Sequence, residues 1–153
     1  MGSIFDILGP VMVGPSSSHT AGAVRIGQIA RQLFGRQPEK ATVYLHGSFA
    51  ATGKGHGTDK ALIAGLLGMK PDDMRIPHSF EIAKEQGMDF VIENKDIKGA
   101  HPNTAQIIME AEGKKAMKIQ AYSIGGGRIR VSKLDGIDVN FSGESNTPIV
   151  RNV

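Results

Sequence analysis

Between Gly14 and Thr20 the chain reads Gly-Pro-Ser-Ser-Ser-His-Thr. Ser16, Ser17, Ser18 and Thr20 bring four hydroxyls and His19 brings an imidazole within five residues. One serine is enough to cap a helix, so this concentration exceeds what capping requires. At a helix start, the first amides lack intrahelical partners and the helix dipole presents partial positive charge. Spare hydroxyls at such a place suit a carboxylate or a phosphate.

A second concentration is Gly53-Lys54-Gly55-His56-Gly57-Thr58. Glycines on both sides of His56 leave its ring accessible, and imidazole is the side chain best matched to proton transfer near neutral pH. The stretch lacks phosphate-loop spacing, because Lys54 is followed by Gly55 rather than Ser or Thr. On these residues alone, a flexible glycine loop with an exposed histidine is the stronger reading. His101-Pro102-Asn103-Thr104 offers imidazole, amide and hydroxyl on a proline-stiffened loop, although such sequences are also common turns. Ser123-Ile124-Gly125-Gly126-Gly127-Arg128 offers bare backbone amides and a cation, and on these residues alone a flexible turn is the stronger reading. His46 lies in the polar register of a strand and reads as a structural histidine. The co-occurrence of these stretches in one small domain predicts a convergent polar site. No histidine pair has metal-site spacing on a single element.

The elements that must position these groups follow from periodicity. Ala23, Ile26, Ala30, Leu33 and Phe34 fall near helical spacing, and Gly35 stands where a left-handed C-cap belongs. The serine cluster therefore sits at the N-terminus of a helix. Ala41 to Ser48 alternates as a strand and runs into a glycine-rich loop reaching Asp59. Thr58 or Asp59 is placed to cap a helix from Lys60 to Leu67, closed by Gly68. A brief helix over Ser79–Gln86 and a strand over Asp89–Glu93 follow. Gln106–Ala111, Met117–Ile124, Ile129–Val131 and Ile137–Phe141, joined by hairpin-type connectors, predict an antiparallel meander. The expected class is α+β, a single domain with helices packed on one mostly antiparallel sheet. Residues 1–141 form that domain and 142–153 read as a tail or linker.

The 153 residues suffice for one domain with a real core. A net charge of +3, scattered along the chain, with eight aromatic residues and no tryptophan, argues against nucleic acid as a partner. No apolar run approaches membrane-spanning length, so no membrane partner is expected. With no cysteine, the chain can form no disulfide and supply no thiolate to zinc or to an iron–sulfur cluster. A cytoplasmic location is the expectation.

The run from Phe5 to Ala23, Phe-Asp-Ile-Leu-Gly-Pro-Val-Met-Val-Gly-Pro-Ser-Ser-Ser-His-Thr-Ala-Gly-Ala, closely resembles the start of the β domain, or β chain, of iron–sulfur-dependent bacterial L-serine dehydratases. Gly55-His56-Gly57-Thr58-Asp59, His101-Pro102-Asn103-Thr104 and Ser123-Ile124-Gly125-Gly126-Gly127 match in the same order, so the resemblance covers nearly the whole chain. It implies deamination of L-serine to pyruvate and ammonia, with threonine left open as a second substrate. It also implies a [4Fe–4S] cluster held by cysteines of a separate α domain or chain, acting as a Lewis acid on the serine hydroxyl. Ser16, Ser17, Ser18, His19 and Thr20 would then bind the substrate carboxylate or shape its pocket. His101, Asn103, Gly125 and Gly126 are further candidates for substrate binding. His56 is the candidate base for the α-proton, with His19 and His46 as alternatives.

The same β domain resembles the allosteric substrate-binding domain of some D-3-phosphoglycerate dehydrogenases. That supplies a rival class, an anion- or serine-binding regulatory module without chemistry of its own. Relatives of this kind often continue into an ACT-type domain, and this chain stops near where one would begin. The partners implied are the cluster-bearing α component and L-serine, and a homodimer is left open.

Overall fold

A computed structural model describes residues 14–53 and 57–142. The first helix, α1, spans Gly14–Phe34. Its residues Ala23, Val24, Ile26, Ile29, Ala30 and Phe34 are buried, which is the apolar face the periodicity predicts. It closes at Gly35, whose φ of 96° and bond from its amide to the Arg31 carbonyl (3.0 Å) make it the expected left-handed cap.

Strand β1 (Lys40–Gly47) alternates as expected, with Ala41, Val43 and Leu45 fully buried. The segment after it is not the continuous loop expected from its glycines. Ser48–Gly53 forms a short helix, α2, anchored by Phe49, which is buried to 1% exposure. The Ser48 amide donates to the Pro102 carbonyl at 2.7 Å. Helix α3 spans Thr58–Leu66. Gly57 (φ 103°) holds the cap position, so Thr58 and Asp59 lie inside the first turn, and Asp59 Oδ1 accepts the Lys60 amide at 2.7 Å.

A 3₁₀ turn (Ile76–His78) leads into α4 (Ser79–Glu85). Just before it, Arg75 donates through two nitrogens to the Asp73 carboxylate, and this fork holds the Asp73 pKa down at about 2.

The remaining strands are β2 (Asp89–Asn94), β3 (Asn103–Glu110), β4 (Met117–Gly125), β5 (Arg128–Leu134) and β6 (Ile137–Ser142). They join β1 in one six-stranded sheet of order β2-β1-β3-β4-β5-β6. Every neighbouring pair is antiparallel except β1 with β2. The α+β reading therefore holds. That parallel pair at the edge is the one departure from a meander, and α2, α3 and α4 supply the crossover it requires.

Helix α1 lies against β4 and β5, and α3 lies on α1. The two helices meet at glycines. A Cβ on Gly27 would stand 2.4 Å from the Leu62 carbonyl oxygen, and one on Gly65 would stand 2.1 Å from that of Val24. Leu62, Ile63 and Leu66 of α3 join Val43, Leu45, Ile107, Met109 and Ile119 of the sheet in one continuous core. The opposite face of the sheet is polar. There Gln106 Nε2 donates to Gln120 Oε1 at 3.2 Å, and the 95–101 segment covers part of the strands.

Candidate functional site

The helix-facing side of one sheet end gathers much of what the sequence singles out. Helix α1 is described from Gly14, and the backbone of Ser16, Ser17 and Ser18 is helical. Pro15 suits a first turn because it has no amide there to leave unpaired. The side chains of residues 14–18 lie outside the described structure. From His19 onward the side chains are described.

His19 Nδ1 and Ser123 Oγ are 2.9 Å apart. This hydrogen bond joins the hydroxyl-rich helix start to the end of β4 across 104 residues of sequence. Ser123 is fully buried and follows Ile119 and Ala121 on the helix-facing side of its strand. The Gly125 amide donates to the same oxygen at 3.4 Å. Helix and strand come this close because residue 22 is glycine, where a Cβ would stand 2.4 Å from Ser123 Oγ. The His19 ring also meets the edge of Phe49, with centroids 6.5 Å apart and planes at 85°. Nδ1 is thus engaged, and no bond to Nε2 is made among the described residues.

Gly47, just before α2, pairs with Asn103, so Asn103 lies at the same end of the sheet and in the helix-facing register of β3. Gly47 has a φ of 62°, and a Cβ there would stand 2.4 Å from the Pro102 carbonyl oxygen. Asn103 and Thr104, expected in a loop, are the first residues of β3. Gly125 closes β4, and Gly126 and Gly127 form the turn into β5, all three at positive φ. The Gly125 amide is already directed at Ser123 Oγ.

Two predicted residues stand elsewhere. His101 stacks on Tyr122 with centroids 4.6 Å apart, and Tyr122 alternates with Ser123 onto the far face of the sheet. Its Nδ1 accepts the Asn103 amide at 3.1 Å, and its carbonyl accepts the Thr104 hydroxyl at 2.6 Å. His101 therefore braces the loop and does not join His19. His46 is held against the 95–101 segment. It is 13% exposed, and its Nδ1 accepts the Ile97 amide at 2.9 Å. His56 lies outside the described residues, between the end of α2 and Gly57.

Ser123 and Arg25 belong to this end of the molecule as well. Ser123 is a polar residue in the apolar register of its strand, a signal visible in the sequence. Arg25 gives no such signal, because its neighbour Gly127 comes from a distant hairpin.

The fold and this site define an α+β domain that brings an imidazole, a buried serine hydroxyl and a glycine turn together at one end of a single sheet. A family model described as the serine dehydratase beta chain matches residues 3–86. The probable L-serine dehydratase beta chain of Bacillus subtilis (strain 168) is 51% identical over 141 residues, covering 92% of this chain and 64% of that one. The L-serine dehydratase beta chain of Peptoniphilus asaccharolyticus is 42% identical over 150 residues, covering 97% of this chain and 68% of that one. L-serine dehydratase 2 of Escherichia coli (strain K12) is 35% identical, and the match takes in 33% of its length. The chain belongs to the serine dehydratase beta chain family. It spans about two thirds of the length of these beta chains and a third of the Escherichia coli protein.

Proposed function

We propose that this chain is the beta component of an L-serine dehydratase, which converts L-serine to pyruvate and ammonia, and that it completes an active site together with a cluster-bearing alpha component. The observation that carries this reading is the His19–Ser123 hydrogen bond, which ties the hydroxyl-rich start of α1 to the glycine turn after β4. The names of the relatives supply the reaction and the expectation of a partner chain. The start of α1 and the turn at Gly126, next to Gly125, supply amides for the substrate carboxylate. His19, held through Nδ1, keeps Nε2 for the substrate. His56 is the base that removes the α-proton as the β-hydroxyl departs.

A [4Fe–4S] cluster with thiolate ligands does not fit this chain, which has no cysteine. Among the described residues, no three of His, Asp and Glu gather as an alternative ligand set. The cluster is assigned to the alpha component, and none of the roles above runs through it. Among the described residues, no helix is long and apolar enough to cross a membrane. We place the assembly in the cytoplasm, where thiolate ligands stay reduced.

The test combines this chain with the cluster-bearing chain under anaerobic conditions and measures pyruvate. Activity well above that of either chain alone is expected. His56→Ala removes turnover and leaves assembly intact. No gain over the alpha chain alone would reject the active-site role and favour a regulatory binding module. Full activity in H56A would move the base elsewhere, and His19 is the oriented imidazole that would inherit it.

A further inference from the structure

Beside the crossing of α1 and α3 lies a cleft of about 310 Å³, lined by Arg25, Gln28, Arg31, Gln32, Gly65 and Gly68 among others. Arg25 Nε and Arg31 Nε are both sealed from water, and neither has a hydrogen-bond partner among the described residues. Neither guanidinium forms an ion pair there. Helix α1 contains no acidic residue to supply one. Gln28 does not relieve the two charges, because its Nε2 donates to the Met69 carbonyl at 2.8 Å.

Packing accounts for where the guanidiniums lie. It does not account for their missing partners. Arg31 rests over Gly68 (φ 91°), where a Cβ would stand 3.4 Å from its Cζ. That places a cation at the C-terminal end of α3, which the helix dipole favours. Arg25 rests against the glycine turn, its Nε 3.5 Å from where a Gly127 Cβ would be. Both side chains are only half-buried, so two guanidiniums without a carboxylate partner among the described residues line one open cleft. Guanidinium forks match the oxygens of carboxylate and phosphoryl groups.

The geometry points to a binding site in the α1/α3 cleft for a small dianion, a short dicarboxylate or a phosphorylated carboxylate. The cleft adjoins the His19–Ser123 end of the sheet, and binding in it does not depend on the reaction assigned to that end. Arg25 links the two places, since it lies against the Gly127 turn.

The test uses the 153-residue chain at low ionic strength, with succinate and inorganic phosphate as probes and acetate as the control. Saturable calorimetric binding of at least one dianion, with a raised unfolding midpoint and no response to acetate, is the expected result. Arg25→Gln and Arg31→Gln each weaken that binding about tenfold or more. Gln32→Glu, at an exposed position, brings a carboxylate to the cleft without disturbing the core, and it removes the response to the dianion. Circular dichroism establishes that each variant is folded. Absence of saturable binding by both dianions, or binding retained in both arginine variants, overturns the site. If neither dianion binds and the arginine variants lose association with the cluster-bearing chain, the cleft is a protein contact and the small-ligand assignment fails.

Discussion

Ser123 is the residue on which the sheet-end arrangement turns. Its hydroxyl is fully buried, bonded to His19 and approached by the Gly125 amide. Removing it leaves a ring nitrogen and a backbone amide without their shared partner, while the Cβ packing against Gly22 persists. Ser123→Ala is therefore expected to cost about 1–2 kcal/mol of folding stability, measured by urea denaturation. Because the His19 ring loses its tether, pyruvate formation by the combined chains should fall more than stability does, about tenfold or beyond. Unchanged turnover with lowered stability would make Ser123 a packing residue only. Part of this was legible from residue types alone. The hydroxyl-rich run and the glycine turn were both visible, and His46 lies in the polar register of its strand with Nδ1 bonded to the Ile97 amide. The partnership between residues 19 and 123 was not, because local pattern carries no information about which distant elements meet. The same limit explains His101, whose motif looked convergent but whose ring lies on the far face against Tyr122.

At the scale of elements, the two central helices owe their arrangement to residues that weaken helices in isolation. Glycine in a helix interior costs about 1 kcal/mol relative to alanine. Gly27 and Gly65 nonetheless sit inside α1 and α3, at the point where each backbone touches the other. The close approach buries Val24, Ile26, Leu62 and Leu66 between helices and sheet, and that packing offsets the propensity loss. Gly65→Ala should therefore destabilise, by about 1–3 kcal/mol, although alanine is the better helix former. Equilibrium unfolding in urea measures this, and a stabilised variant would show that the helices do not cross so closely. Helix ends were readable where glycine takes a left-handed conformation, as at Gly35 and Gly68. Helix α2 was not readable. Its six residues are too few to show a period, and its anchor is the burial of Phe49 together with a bond to the Pro102 carbonyl. The parallel pairing of β2 escaped for a related reason, since a strand's own alternation does not say which edge it will join.

At the scale of the whole molecule, the described residues share one core, from Ala23 of α1 through Leu62 of α3 to Phe141 of β6. No helix pair or hairpin buries its apolar face without the others. β1 pairs with β3 from Lys40 opposite Glu110, and the candidate site joins residues 104 positions apart. The site therefore has no existence in a partly folded chain. A domain of this size with one core should unfold in a single cooperative transition. The chain carries its own probes: it has no tryptophan, and its two tyrosines, Tyr44 and Tyr122, lie on β1 and β4. Tyrosine fluorescence therefore follows the sheet, while far-ultraviolet ellipticity is dominated by the helices. The two signals should trace the same urea transition. Refolding should take milliseconds to seconds rather than microseconds, because the pairings that close the sheet are distant in sequence. A tyrosine transition displaced from the helical one would mean that α1 and α3 hold together without the sheet. The His19–Ser123 contact would then be a late addition to a preformed helix pair, and substitutions at Ser123 would change sheet stability without moving the helical transition.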